Sequence, residues 1–188
     1  MNNEFKQKDV ESKGRYLAKL LRHDIEAYEK GKIDEHGWRH VDELLKIGFD
    51  LPLLEQIVEI NNKKRYEFNA DHTLIRARQG HSIPVDVELE RSIPPRLLYH
   101  GTSESVKDNI LRDGIKSMAR LYVHLSKDIE TAIKVGKRHG DKVVVFGVDS
   151  GKMESDGQEF FLSRNDVWLT KFVDPKYIKE LRTENTIS

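Results

Sequence analysis

Asn61-Asn62-Lys63-Lys64-Arg65-Tyr66-Glu67-Phe68 is the stretch on which the reading of the first half of the chain turns. Consecutive cations run into the alternation Tyr66, Phe68, the period of a short strand. Asn69-Ala70-Asp71-His72 follows as a turn and residues 73–78 as a returning strand, so the stretch opens a hairpin. Read for chemistry, Lys63, Lys64 and Arg65 are either a phosphate clamp or the ordinary solvated start of a strand, and the run alone leaves both open. The hairpin carries Arg76 and Arg78 back beside the same region.

Working back from the hairpin, residues 12–24 predict an amphipathic helix. Ser12 is its cap, and Tyr16, Leu17, Leu20 and Leu21 form its inward face. It ends on Arg22-His23. Positive charge suits the negative end of a helix, so this pair by itself reads as a C-terminal charge pair. Residues 34–37 form a turn. Trp38 and Val41 lead a second helix with Val41, Leu44 and Leu45 inward and Gly48 as its stop. Asp50 caps a third helix that tolerates Pro52 in its first turn and buries Leu54, Ile57 and Val58. Short helices followed by a hairpin are the pattern of a winged-helix module, which often binds nucleic acid.

Downstream, Gln79-Gly80-His81-Ser82 is a surface turn or an anion cradle, with His81 and Ser82 as donors. Pro84, Pro94 and Pro95 mark a linker over residues 84–95. The second half predicts strands at 97–103, 121–126, 142–148, 159–162 and 167–172. Helices are expected after Ser103, with Val106, Ile110 and Leu111 on one face, and over 128–138 with Ser126 as cap. A short helix over 175–181 closes the chain. This is a mixed α+β lobe. His100 and His124 stand in comparable positions, each in or at the end of a strand and followed by a small hydroxyl residue. No Gly-x-Gly-x-x-Gly, phosphate-binding loop or His-Glu-x-x-His motif is present.

Composition bounds the rest. The chain has 188 residues, with 32 Lys plus Arg against 32 Asp plus Glu, so any polyanion must be held by a local patch. The absence of cysteine excludes disulfides and thiolate metal sites and fits a reducing cytoplasm. No apolar run approaches the roughly 18 residues of a membrane span, and residues 1–10 lack the pattern of a secretory signal. No metal set is legible around the histidines. The balanced charge and the lack of a coiled-coil pattern favour a monomer.

Taken together and in order, the motifs resemble those of the RNA 2′-phosphotransferase family. They are Leu20-Leu21-Arg22-His23, the Asp34 to Trp38 turn, Lys63-Lys64-Arg65-Tyr66, Gln79-Gly80-His81-Ser82, Tyr99-His100-Gly101-Thr102, Arg120 with Tyr122-Val123-His124-Leu125-Ser126, and Val167-Trp168-Leu169-Thr170. The resemblance spans residues 12–173. It implies an α+β protein with an N-terminal winged-helix lobe, residues 1–83, and a C-terminal ADP-ribosyltransferase-like lobe, residues 96–188. It implies a catalytic set of Arg22, His23, Arg65 and Arg120, and NAD⁺ contacts at His100, Gly101, Thr102, His124 and Ser126. Lys64, Arg76, Gly80, His81 and Ser82 are expected to contact RNA or phosphate. Residues 24–33 depart from the pattern: they are unusually charged and lack the expected proline.

The implied reaction removes an internal 2′-phosphate from RNA, as at tRNA splice junctions, and consumes NAD⁺ without a metal. The phosphate would sit in a cleft between the lobes, and His23 is a candidate proton donor. Two other classes stay in view. Many protein-modifying ADP-ribosyltransferases use a glutamate on a late strand, where this chain offers only Asp166; transfer to nucleic-acid ends stays open. A non-catalytic winged-helix binder explains Arg65 but not the motifs at His100 and His124.

Overall fold

The computed structural model describes residues 7–61 and 64–181. Asn62 and Lys63, with the solvent- or RNA-facing role expected of Lys63, lie outside the described residues. The chain divides into two compact units, Met1–Glu88 and Leu89–Ser188. Among the described residues no helix is long and apolar enough to cross a membrane.

The first unit begins with α1, Gln7–Arg22. It starts earlier than the sequence pattern suggests, so Ser12 is inside the helix rather than its cap. Leu17, Leu20 and Leu21 are buried as expected, but Tyr16 is exposed and stacks on the Phe49 ring at 5.9 Å. The helix ends at Arg22. A short α2, Ile25–Glu29, follows, capped by Asp24. It occupies the charged segment that carried no helical pattern. Then come β1, Arg39–His40, and α3, Val41–Leu45. Val41 and Leu44 are buried, but Leu45 faces solvent. The last helix, α4, Leu51–Ile60, has the expected cap: Leu53 N–H donates to Asp50 Oδ1 at 2.8 Å.

The hairpin is β2, Tyr66–Phe68, with β3, Leu74–Ala77, in the register Tyr66↔Ala77 and Phe68↔Ile75. β1 adds to the other edge of β3, giving the order β1-β3-β2. Leu17, Leu21, Leu44, Leu54, Tyr66 and Ile75 form the core between helices and sheet. The strand pattern is not the simple alternation read from sequence. Glu67, on the face opposite Tyr66, is also buried because it holds Arg76 and Arg78. Ile83 and Val85 close a smaller cluster with Ala27 and Ile33.

The second unit is built on antiparallel sheets. β4, Leu98–Ser103, and β11, Ile178–Leu181, flank β7, Val143–Val148. β9, Trp168–Thr170, lies between β6, Val123–Leu125, and β8, Phe161–Leu162. β5, Ile115–Lys116, pairs with β10, Phe172–Val173. Helices are α5, Lys107–Asp113, α6, Ile129–Gly136, and α7, Ser150–Ser155.

Several expectations need correction here. The closing segment is one 3-10 turn, Pro175–Tyr177, and then a strand, because residues 178–181 complete the edge of β7. In α5 only Ile110 is buried, while Leu111, and Val106 in the 3-10 turn before the helix, are exposed. Asp128, not Ser126, caps α6, accepting from Thr131 N–H at 2.7 Å. Residues 90–92 run beside β8: Leu162 N–H donates to the Glu90 carbonyl at 3.4 Å, and Ser92 N–H donates to the Phe160 carbonyl just before β8 at 2.9 Å.

Candidate active site

In the first unit the site is the C-terminal end of α1. The last carbonyls of a helix lack intrahelical donors and must be met from elsewhere. Here the Arg22 carbonyl accepts from Ser82 N–H at 2.9 Å and from Ile83 N–H at 3.4 Å, and the Leu20 carbonyl accepts from Arg39 Nη1 at 3.1 Å. Capping therefore pins the 79–82 turn against Arg22-His23. His23 Nδ1 lies 2.9 Å from Ser82 Oγ. Gly80, at φ +88°, packs on Arg22: a Cβ there would stand 3.5 Å from the guanidinium carbon. On another side the Arg22 guanidinium lies 5.8 Å from the Tyr66 ring centroid, in cation–π range. Burial raises the Tyr66 pKa, while Arg22 and Arg65 act against that rise.

Asp24 is the carboxylate next to this pair in sequence. Its Oδ1 caps α2 and its Oδ2 accepts from buried Arg39 at 2.9 Å. Arg39 thus holds the anion that adjoins Arg22-His23. No sequence signal distinguished Arg39 from the other cations, and the Asp24–Arg39 pair was not foreseen.

His81 and Arg76 take other places than expected. His81 is 2 % exposed, and its pKa falls to about 3, through burial first and then through Arg22, His23 and Arg76. Its ring is enclosed rather than exposed in the surface turn that the sequence suggests. Arg76 is buried too. Its Nε donates to Glu67 at 2.8 Å, its Nη1 to the His36 carbonyl and to Glu88 at 3.2 Å each, and it lies 4.4 Å from the Trp38 ring centroid. A guanidinium so enclosed ties the hairpin to the 34–38 turn. Lys64 is exposed just before β2, at φ +44°, and Arg65 follows half-buried.

In the second unit β4 and β6 meet at Tyr99 and Ser126, which exchange backbone hydrogen bonds of 2.8 and 2.7 Å. This junction brings the His100 and His124 motifs together. His100 Nδ1 donates to the His124 carbonyl at 3.2 Å. Enclosure lowers the His100 pKa, with that hydrogen bond opposing and His139 adding to the shift. Arg120 Nη1 lies 3.1 Å from His124 Nδ1. A guanidinium only donates, so Nδ1 accepts and the His124 proton is on Nε2. Partial desolvation and the nearby Arg138 lower the Arg120 pKa, yet arginine keeps its charge at any working pH. Gly101 lets α6 lie directly on β4, since a Cβ there would be 1.8 Å from the Ala132 carbonyl oxygen. Thr102 is buried beside it.

Each unit therefore presents a small, ordered cationic site, the first around Arg22 and His23, the second around Arg120 with two histidines of defined tautomer. Residues 7–172 match the family described as RNA 2′-phosphotransferase, Tpt1 / KptA family. The chain belongs to this RNA 2′-phosphotransferase family. It is 47% identical over 172 residues to a probable RNA 2′-phosphotransferase of Fusobacterium nucleatum, covering 88% of this chain and 96% of that protein. It is 47% identical over 176 residues to a protein of the same description from Flavobacterium johnsoniae, covering 90% and 96%. A third, from Nostoc punctiforme, is 44% identical over 173 residues, covering 89% and 94%.

Proposed function

We propose that this protein removes an internal 2′-phosphate from RNA and transfers it to NAD⁺. The first unit serves as a winged-helix RNA-binding lobe and the second as an ADP-ribosyltransferase-like lobe that takes NAD⁺. Besides family membership, one observation carries the reading: the end of α1 holds Arg22 and His23 in place through Gly80 and Ser82, while the adjoining Asp24 carboxylate is engaged by Arg39.

A 2′-phosphomonoester carries roughly −1.5 to −2 charge near neutral pH. Guanidinium forks match its oxygens in pairs. In the first step a 2′-phosphate oxygen bonds to C1″ of the nicotinamide ribose and the bond to nicotinamide breaks, so nicotinamide departs neutral. In the second the adjacent ribose 2″-hydroxyl attacks phosphorus and the RNA 2′-oxygen leaves, taking up a proton. The products are RNA with a 2′-hydroxyl and ADP-ribose 1″,2″-cyclic phosphate. Charge builds on the phosphoryl oxygens in this second step, and Arg65 and Arg120 are assigned to it. Arg22 and His23 hold the phosphate, with Nε2 of His23 as the contacting nitrogen.

The residues of the second unit fit an NAD⁺ contact. Enclosure keeps His100 neutral, so its ring can lie near a cationic nicotinamide without repulsion. Gly101 is packed under α6, and Ser126 is half-buried where β4 meets β6. Incubation of the protein with NAD⁺ and an RNA bearing one internal 2′-phosphate should yield nicotinamide, 2′-hydroxyl RNA and the cyclic phosphate in equal amounts. ADP-ribose left on protein or on an RNA end, with the 2′-phosphate intact, would overturn the reading in favour of another ADP-ribosyl transfer.

A further inference from the structure

A cavity of about 460 Å³ opens in the first unit between α1, the end of α4 and the start of β2. Arg15 and Arg65 both line it, and Ala18, Ile57 and Ile60 form an apolar wall. The reaction assigned above uses Arg65 but not Arg15 or this wall. Among the described residues neither Arg15 nor Arg65 makes an ion pair, whereas Arg39, Arg76 and Arg78 are each held by a carboxylate. Glu11, also at the cavity, stands one helical turn before Arg15, at the i,i+4 spacing where pairing is expected. No such pair forms.

Gly14 adds an independent observation. A glycine inside a helix weakens it relative to alanine. Packing does not require it: a Cβ there would meet only Ile57 Cγ2, at 3.7 Å. What the missing side chain does is keep the α1 side of the cavity open. Along α1, Arg15, Ala18 and Arg22 follow at i, i+3 and i+7, so one face runs from the catalytic end back to the cavity over about 10 Å.

We propose that this cavity is a subsite for the nucleotide next to the 2′-phosphorylated one, on the assumption that the substrate is the RNA proposed above. The base lies on Ala18, Ile57 and Ile60, a sequence-tolerant contact because every base has an apolar face. The adjoining phosphodiester is held by Arg15. Glu11 accepts a hydrogen bond from a base amino group or a ribose hydroxyl.

The test uses a labelled RNA hexamer with one internal 2′-phosphate and, in competition, a single nucleoside 2′-monophosphate. Binding is measured without NAD⁺ across a salt series. Arg15 is exposed and Ile60 is 56 % exposed, so Arg15→Ala and Ile60→Ser should both fold. Arg15→Ala should weaken hexamer binding about tenfold at low salt, flatten the log–log salt slope by about 0.7, and leave the mononucleotide unaffected. Ile60→Ser should weaken the hexamer with the salt slope unchanged. Turnover of the hexamer should show a raised KM at constant kcat. Unchanged hexamer binding in Arg15→Ala, or equal losses for hexamer and mononucleotide, would overturn the subsite. Wild-type protein that binds the hexamer through Arg15 but never removes its 2′-phosphate would instead refute the proposed reaction and leave the subsite standing.

Discussion

Arg22 and Arg39 both touch the end of α1, and their neighbours give them opposite tasks. Arg39 is buried, bound to Asp24 and to a helix carbonyl, and serves the fold. Arg22 is half-buried against Tyr66 and Gly80, where a guanidinium face meets a ring and a bare backbone. The order Arg22-His23 was legible in the sequence because it sits where an amphipathic pattern stops. The burial of Arg76 was not, since a cation in an exposed-looking hairpin reads the same whether or not Glu67 lies opposite it. His81 supplies a prediction at this scale. Its native pKa of about 3 lies below the usual 6.5, so between those values the unfolded chain binds a proton that the folded chain does not. Stability is then complete above pH 6.5 and falls as pH drops, by up to about 1.4 kcal/mol per unit from this ring. Enclosed His100 acts in the same direction. Urea midpoints taken from pH 7.5 to 5 should show a shallower decline for His81→Leu than for wild type. Parallel declines would remove His81 as the cause.

At the scale of elements, α6 on β4 is the contact that fixes the second site. Gly101 and the Ala132 carbonyl approach so closely that any side chain at Gly101 forces the helix off the strand. Gly101→Ala should destabilise the protein by at least about 2 kcal/mol, read as a lower urea midpoint. A midpoint within error of wild type would mean that the helix yields at little cost. Elements with a strong local pattern were legible: α1, α4 with its Asp50 cap, the hairpin, and β7. Those that depend on distant partners were not. Tyr177, Ile178 and Leu181 have a spacing that suits a helix, yet residues 178–181 pair with β7 because its edge is open to them. α7 has little apolar pattern to mark it in the sequence: Asp149 caps it, but Met153 is its one buried large apolar residue. α2 was hidden by its charges.

For the molecule as a whole, a net formal charge of zero means that no long-range field draws it to nucleic acid. A polyanion would have to be held by local clusters of cations, and the described residues place cations at the end of α1, along the Arg15–Arg65 cavity and at Arg120. The family was legible from the ordered motifs, because each one records a local chemical need at a fixed place in the chain. The burial of His81 and the cavity beside Arg65 were not legible, since both arise from packing between segments far apart in sequence. The reaction proposed for these clusters rests on Arg65 acting in phosphoryl transfer more than in nicotinamide release. A single-turnover experiment with 2′-phosphorylated RNA and NAD⁺ can follow the two signals separately in wild type and Arg65→Lys, in which an ammonium replaces the bidentate fork. The prediction is that nicotinamide release stays close to wild type while loss of the 2′-phosphate slows about 100-fold, so that ADP-ribosylated RNA accumulates. Near-normal loss of the 2′-phosphate in Arg65→Lys, or equal slowing of both signals with no such intermediate, would contradict it.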